Sequence, residues 1–153
     1  MSKTYISVSL RRMVFDRASR TCEYCLIPEA FTFSSHQVDH VIAEKHGGET
    51  IAENLALSCA LCNQSKGSDI SSIDPDTGEI EKLYNPRRDQ WTEHFQVTVE
   101  SGMIYPTTPI GRVTVRLLQM NRVENLVGRQ LLLQVGILVI PRERSGEEEK
   151  GKN

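Results

Sequence analysis

Cys59-Ala60-Leu61-Cys62-Asn63-Gln64-Ser65-Lys66-Gly67 is the stretch that decides the fold, read with its upstream echo Cys22-Glu23-Tyr24-Cys25. These two C-x2-C pairs hold all four cysteines of the chain. In a reducing compartment such a set reads as metal ligands rather than as disulfides. Each pair makes a tight knuckle, and two knuckles together present four thiolates in the tetrahedral arrangement that zinc prefers. A closed set of this kind leaves no open position, so one structural zinc is expected to hold the fold and do no chemistry itself. A thioredoxin-type redox site needs one pair and a βαβ context, and this sequence has two pairs and lacks that context. A RING-like interaction domain needs about eight ligands for two ions. Four cysteines and four histidines at these spacings do not supply them.

Between the pairs lie Val38-Asp39-His40-Val41-Ile42, then His46-Gly47-Gly48, then Asn54-Leu55. Residues 37–42 alternate in part and are rich in Val and Ile, so they read as a strand, and 54–58 as a second strand entering the second knuckle. Residues 62–67 read as a helix stopped by Gly67. Asp39 and Asn63 are hard oxygen ligands of the kind that suit Mg²⁺, which keeps most of its waters and completes its shell with phosphate. A neutral imidazole at His40 can take a proton from water beside such an ion. Lys66, a compact cation, is a candidate phosphate contact. Together these are the parts of a metal-assisted phosphodiesterase.

The order D-H-V-I, a G-G loop, N-L, then C-A-L-C-N-Q-S-K-G over residues 20–68 resembles the HNH nuclease motif, the ββα-metal finger. The variant is the one stapled by two zinc knuckles and ending in Asn rather than His. The resemblance implies that His40 is the general base and that Asp39 and Asn63 hold one catalytic divalent ion. It implies that Asn54 helps to position the base, and that Cys22, Cys25, Cys59 and Cys62 bind the structural zinc. An Asn in the last position favours Mg²⁺ or Mn²⁺ over a two-histidine transition-metal site. The fold class expected is α+β: a treble-clef-like ββα-metal core, extended C-terminally by a short hairpin and two helices.

Outward from this core, residues 8–19 read as an amphipathic helix with Ser7 as N-cap and Leu10, Val14, Phe15 and Ala18 on one side. Arg17 and Arg20, with Arg11 and Arg12, decorate the other faces and are candidate DNA contacts, as is His46 beside its glycines. His36 and His94 read as structural, and Trp91 and Phe95 as core. Asp74-Pro75-Asp76-Thr77-Gly78 is turn chemistry. Residues 95–99 and 103–105 flank Ser101-Gly102 as a hairpin, and helices are expected over 109–120 and 124–139, the second packed on more than one side. This divides the chain into 1–70, a helix and the metal-finger core; 71–140, an extension packed on it; and 141–153, a charged tail expected to be disordered.

At 153 residues, 39% hydrophobic and 25% charged, the chain has the composition of an ordinary globular domain, not of a disordered one. Its net charge is −2, but residues 36–100 are acidic and the segments 1–35 and 101–140 basic. A cation-binding centre between phosphate-binding arms fits that distribution, and so does ordinary solvated surface. No run approaches the ~18 apolar residues of a membrane span, and the N-terminus has no long apolar region, so a cytoplasmic protein without membrane association is expected. The expected function is an HNH endonuclease that hydrolyses double-stranded DNA by a one-metal mechanism. The competing expectation is a zinc-stabilised module that binds nucleic acid without cutting it. Nicking and double-strand cleavage would differ by oligomeric state, a homodimer being one arrangement.

Overall fold

Ser7 caps helix α1 (Val8–Arg17) through its hydroxyl, which accepts from the Leu10 amide at 3.2 Å. The computed structural model describes residues 4–138, Ile140 and Pro141. Val14 is fully buried, and with Ile6, Leu55 and Leu57 forms the smaller of two buried apolar clusters. The helix stops before the expected 19, because Ser19 and Arg20 take left-handed φ values of 50° and 52°. That turn costs about 1–2 kcal/mol per non-glycine residue and swings the chain into the first knuckle. There the Cys22 amide donates to Ile27 O at 3.0 Å and the Leu26 amide to Cys22 O at 3.0 Å.

Strands β1 (Gln37–His40) and β2 (Leu55–Ser58) pair antiparallel, with Gln37 opposite Ser58 and His40 opposite Leu55. All four residues of β2 are buried, so this strand is covered on both faces. Helix α2 (Ala60–Lys66) begins on the second knuckle: the Cys59 Sγ accepts from the Cys62 amide at 3.4 Å, and Gly67, at φ 52°, ends the helix. The expected ββα order is therefore present, with Asn54 in a 3₁₀ turn just before β2 rather than in the strand.

Beyond α2 come hairpin β3 (Ser71–Ile73) and β4 (Ile80–Lys82), the short α3 (Trp91–His94), hairpin β5 (Phe95–Val97) and β6 (Ile104–Pro106), α4 (Pro109–Leu118) and α5 (Val123–Gln134). The first of these hairpins flanks the Asp74–Gly78 turn and was not legible in the pattern. Its strands are three residues long, and Ile73 and Ile80 face solvent. Helix α5 ends at Gln134 rather than 139, because Gly136 turns at φ 73° and returns Leu138 to the core; Val139 lies outside the described residues. Its packing also corrects expectation: Leu132 and Leu133 are buried, but Val123 and Leu131 stand 74% and 57% exposed, so one apolar stripe faces outward. The larger buried cluster joins all four cysteines to Leu83, Trp91, Phe95, Leu118 and Leu132, so knuckles and extension share one core. The fold is α+β with three two-stranded antiparallel sheets among the described residues. No helix there is long and apolar enough to cross a membrane.

Candidate nuclease site and metal centre

The four cysteine sulfurs lie within 4.8 Å of one another, and all four residues are buried. A tetrahedral ion with bonds of about 2.3 Å to sulfur sets its ligands roughly 3.8 Å apart. Cys25 Sγ and Cys59 Sγ are 3.7 Å apart, which fits that edge. Hydrogen bonds from Cys22, Cys25 and Cys62 pull the Cys59 thiol far below its ordinary pKa, while the same close contacts push Cys25 and Cys62 up. Donor chemistry and spacing both suit zinc. Among the described residues this is the one group of three or more His, Cys, Asp or Glu ligands gathered closely enough to hold an ion.

Successive residues of a strand point to opposite faces, so β1 turns Asp39 toward α2 and His40 toward the loop that follows. Lys66 Nζ donates to Asp39 Oδ2 at 2.9 Å and to the His40 carbonyl at 3.0 Å. Burial raises the Asp39 pKa, and the Lys66 ammonium opposes that rise. One helical turn before Lys66, the Asn63 amide donates to the Gln37 side chain, two residues before Asp39 on β1. Asp39 and Asn63 thus share the seam between β1 and α2. One carboxylate and one amide oxygen, with water and phosphate completing the shell, fit a hard divalent ion such as Mg²⁺ or Mn²⁺.

The His40 ring is buried, with Nε2 2.8 Å from Thr50 Oγ1, and the Thr50 hydroxyl donates to Glu44 Oε1 at 3.4 Å. A hydroxyl that gives its proton to a carboxylate must accept from the imidazole, so Nε2 carries the hydrogen and Nδ1 the lone pair. Asn54 closes the intervening loop. Its Oδ1 accepts from the Ile42 amide at 3.0 Å, and its Nδ2 donates to the carbonyls of Ile42 and Glu49, each at 2.9 Å. Gly48 is required in the same loop, since a Cβ there would stand 1.7 Å from Ile42 O.

Several sequence-derived candidates are placed otherwise than expected. Lys66 is only 2% exposed and turned onto Asp39, so it is an internal partner rather than a phosphate contact at the surface. Arg17 donates to the carbonyls of Ala52 at 3.0 Å and Leu55 at 2.7 Å, bracketing Asn54. Arg20 pairs with Glu29 at 2.9 Å and lies over the Phe15 ring. His46 is exposed on the 3₁₀ turn Glu44–His46. His36 and His94 are buried against Ile27 O and Thr108 Oγ1, at 2.8 and 2.7 Å, in keeping with structural roles. Thr50, Gln37 and Glu23 were not legible beforehand. Glu23 Oε2 accepts from the Leu57 amide at 2.8 Å while Oε1 pairs with Arg87, and burial nonetheless raises its pKa.

Residues 22–69 match the model of the family described as HNH endonuclease, so the resemblance read over 20–68 is carried by a match to the family itself. Over 88 residues, 57% of this chain, the sequence is 33% identical to a CRISPR-associated endonuclease Cas9 of Corynebacterium diphtheriae. The chain spans about 8% of the length of that relative. No solved structure matches it.

Proposed function

We propose that this chain is a metal-dependent endonuclease that hydrolyses phosphodiester bonds of duplex DNA, with His40 as general base. The observation that carries the reading is the fixed imidazole: Thr50 holds Nε2, and the lone pair on Nδ1 is left for a water proton. When His40 takes that proton, the imidazolium keeps its Nε2 hydrogen on Thr50, whose hydroxyl passes the interaction on to Glu44. Asp39 and Asn63 would hold Mg²⁺ or Mn²⁺, which supplies Lewis-acid stabilisation of the charge that develops on the phosphate and leaving oxygens. The Lys66 ammonium opposes the rise that burial imposes on the Asp39 pKa. Asn54 positions the base by pinning the loop on Ile42. His46, exposed beside that loop, is the phosphate contact this reading favours, with Arg17 and Arg20 shaping the flank. The cysteines would hold one zinc that supports the fold.

Cleavage of supercoiled plasmid with Mg²⁺, Mn²⁺ or EDTA tests the proposal, with zinc content measured on wild type and His40→Ala. The variant is expected to lose about 10²–10⁴-fold in rate while keeping its zinc. Undiminished cleavage by a clean, folded His40→Ala preparation overturns the role. Open-circular products mark single-strand cuts, and linear product formed without an open-circular precursor marks paired cuts and bears on subunit arrangement. A zinc-stabilised module that binds without cutting is favoured by one feature, the ion pair that already occupies Asp39 Oδ2. Metal-independent binding with no nicking selects that reading.

A further inference from the structure

Arg129 lies in the middle of α5, is fully buried and is among the largest fully buried side chains of the molecule. Four of its five N–H donors are met by oxygen: Nε donates to Gly102 O at 2.5 Å and Nη1 to Cys25 O at 3.1 Å. Nη2 donates to Met120 O and Asn121 Oδ1, each at 3.0 Å. Every acceptor is neutral. No ion pair among the described residues includes Arg129, although an arginine keeps its charge wherever it is buried. Hydrogen bonds to neutral oxygens answer most of the N–H groups but leave the charge itself uncompensated, which a protein interior does not tolerate cheaply. Burial works against the charged guanidinium, and the four cysteines, Cys25 first, oppose that effect.

We infer that Arg129 is the built-in counter-charge of the cysteine centre, an outer partner that holds the metal-loaded form from the far end of the chain. The inference rests on the zinc reading above. Zinc with four thiolates carries a net charge of −2, and one buried guanidinium halves it. The contact to Cys25 spans 104 residues of sequence, which makes α5 part of the metal centre rather than an appendage to it. Gly102 supplies a carbonyl because its turn lies directly on α5, where a Cβ would stand 2.6 Å from the Gln130 amide nitrogen.

The test uses the full chain purified with zinc, as wild type, Arg129→Gln, Arg129→Lys and Leu133→Ala, the last removing buried apolar volume from the same helix. Zinc affinity is read by competition with a chromophoric chelator. The charge-transfer band of the cobalt-substituted centre reports thiolate electronics independently of activity. Arg129→Gln is expected to lose about tenfold or more in zinc affinity and to shift the cobalt band. Arg129→Lys, which keeps the charge and loses donors, falls between it and wild type. Leu133→Ala lowers the melting temperature without moving the band. Equal zinc loss in the Lys and Gln variants, or a Gln variant that behaves like Leu133→Ala, overturns the inference. If Arg129→Gln does not fold, a Lys variant that loses zinc no less than Leu133→Ala overturns it, and one that loses less upholds it. Absence of zinc from the wild type, by contrast, fails the zinc reading beneath it.

Discussion

Asp39 and Asp74 are two carboxylates taken largely out of water beside a basic side chain, one inside the segment that matches the family model and one in the extension beyond it. Their surroundings drive them in opposite directions. Asp74 receives Arg112 through Nε at 2.9 Å and Nη2 at 2.7 Å, with the Asp76 amide at 3.1 Å and the Thr77 hydroxyl at 3.2 Å completing the set. That fork holds its pKa well below the ordinary carboxylate range. Asp39 has a single side-chain donor, Lys66, and burial prevails, so its pKa is raised. A carboxylate with every lone pair answered is a fastener, here pinning the β3–β4 turn to α4. A carboxylate with one oxygen answered and one open is left short of positive charge, in keeping with the ion-binding role proposed for Asp39.

The contrast breaks most sharply at its cations. Lys66→Met strands Asp39 in the interior and is expected to cost about 3–5 kcal/mol of stability, with part recovered in the double variant Lys66→Met/Asp39→Asn. Denaturant unfolding of wild type, the Lys66→Met and Asp39→Asn single variants and the double variant measures this, and full additivity would deny the coupling. Glycine substitutions separate the two regions next. Gly48→Ala forces a Cβ into the Ile42 carbonyl and should cost about 1–3 kcal/mol and depress cleavage. Gly128→Ala, in α5 with nothing within 4 Å of the new Cβ, should stabilise by roughly 0.5–1 kcal/mol. Thermal melts of both proteins decide whether the loop is as tightly built as its geometry indicates.

A smaller effect is expected at Thr50. Thr50→Val removes the acceptor for His40 Nε2 and should lower the cleavage rate about tenfold, while Thr50→Ser restores it. The smallest test returns to Asp74. A carboxylate whose folded pKa is depressed contributes stability that is present above its unfolded pKa, about 3.9, and lost as pH falls through the folded value. The wild-type melting temperature should therefore fall more steeply below pH 4 than that of Asp74→Asn. Parallel acid profiles would remove Arg112 as the cause.

The parts read correctly from sequence were those in which neighbours along the chain decide the outcome. Ser7 caps its helix three residues on, Gly67 ends α2, and Ser101-Gly102 joins two strands, all by local backbone chemistry. The two C-x2-C pairs carry their chemistry in their spacing, and the four sulfurs converge as that spacing requires. Tertiary structure alone decided which side chains face one another across the folded core. Lys66 meets Asp39 from 27 residues away, Arg87 meets Glu23 from 64 and Arg129 meets Cys25 from 104. No period or motif encodes such partners. They follow from how α2 lies on β1 and how the extension closes over the knuckles, and from the free-energy cost that makes each buried charge or donor find an answer there.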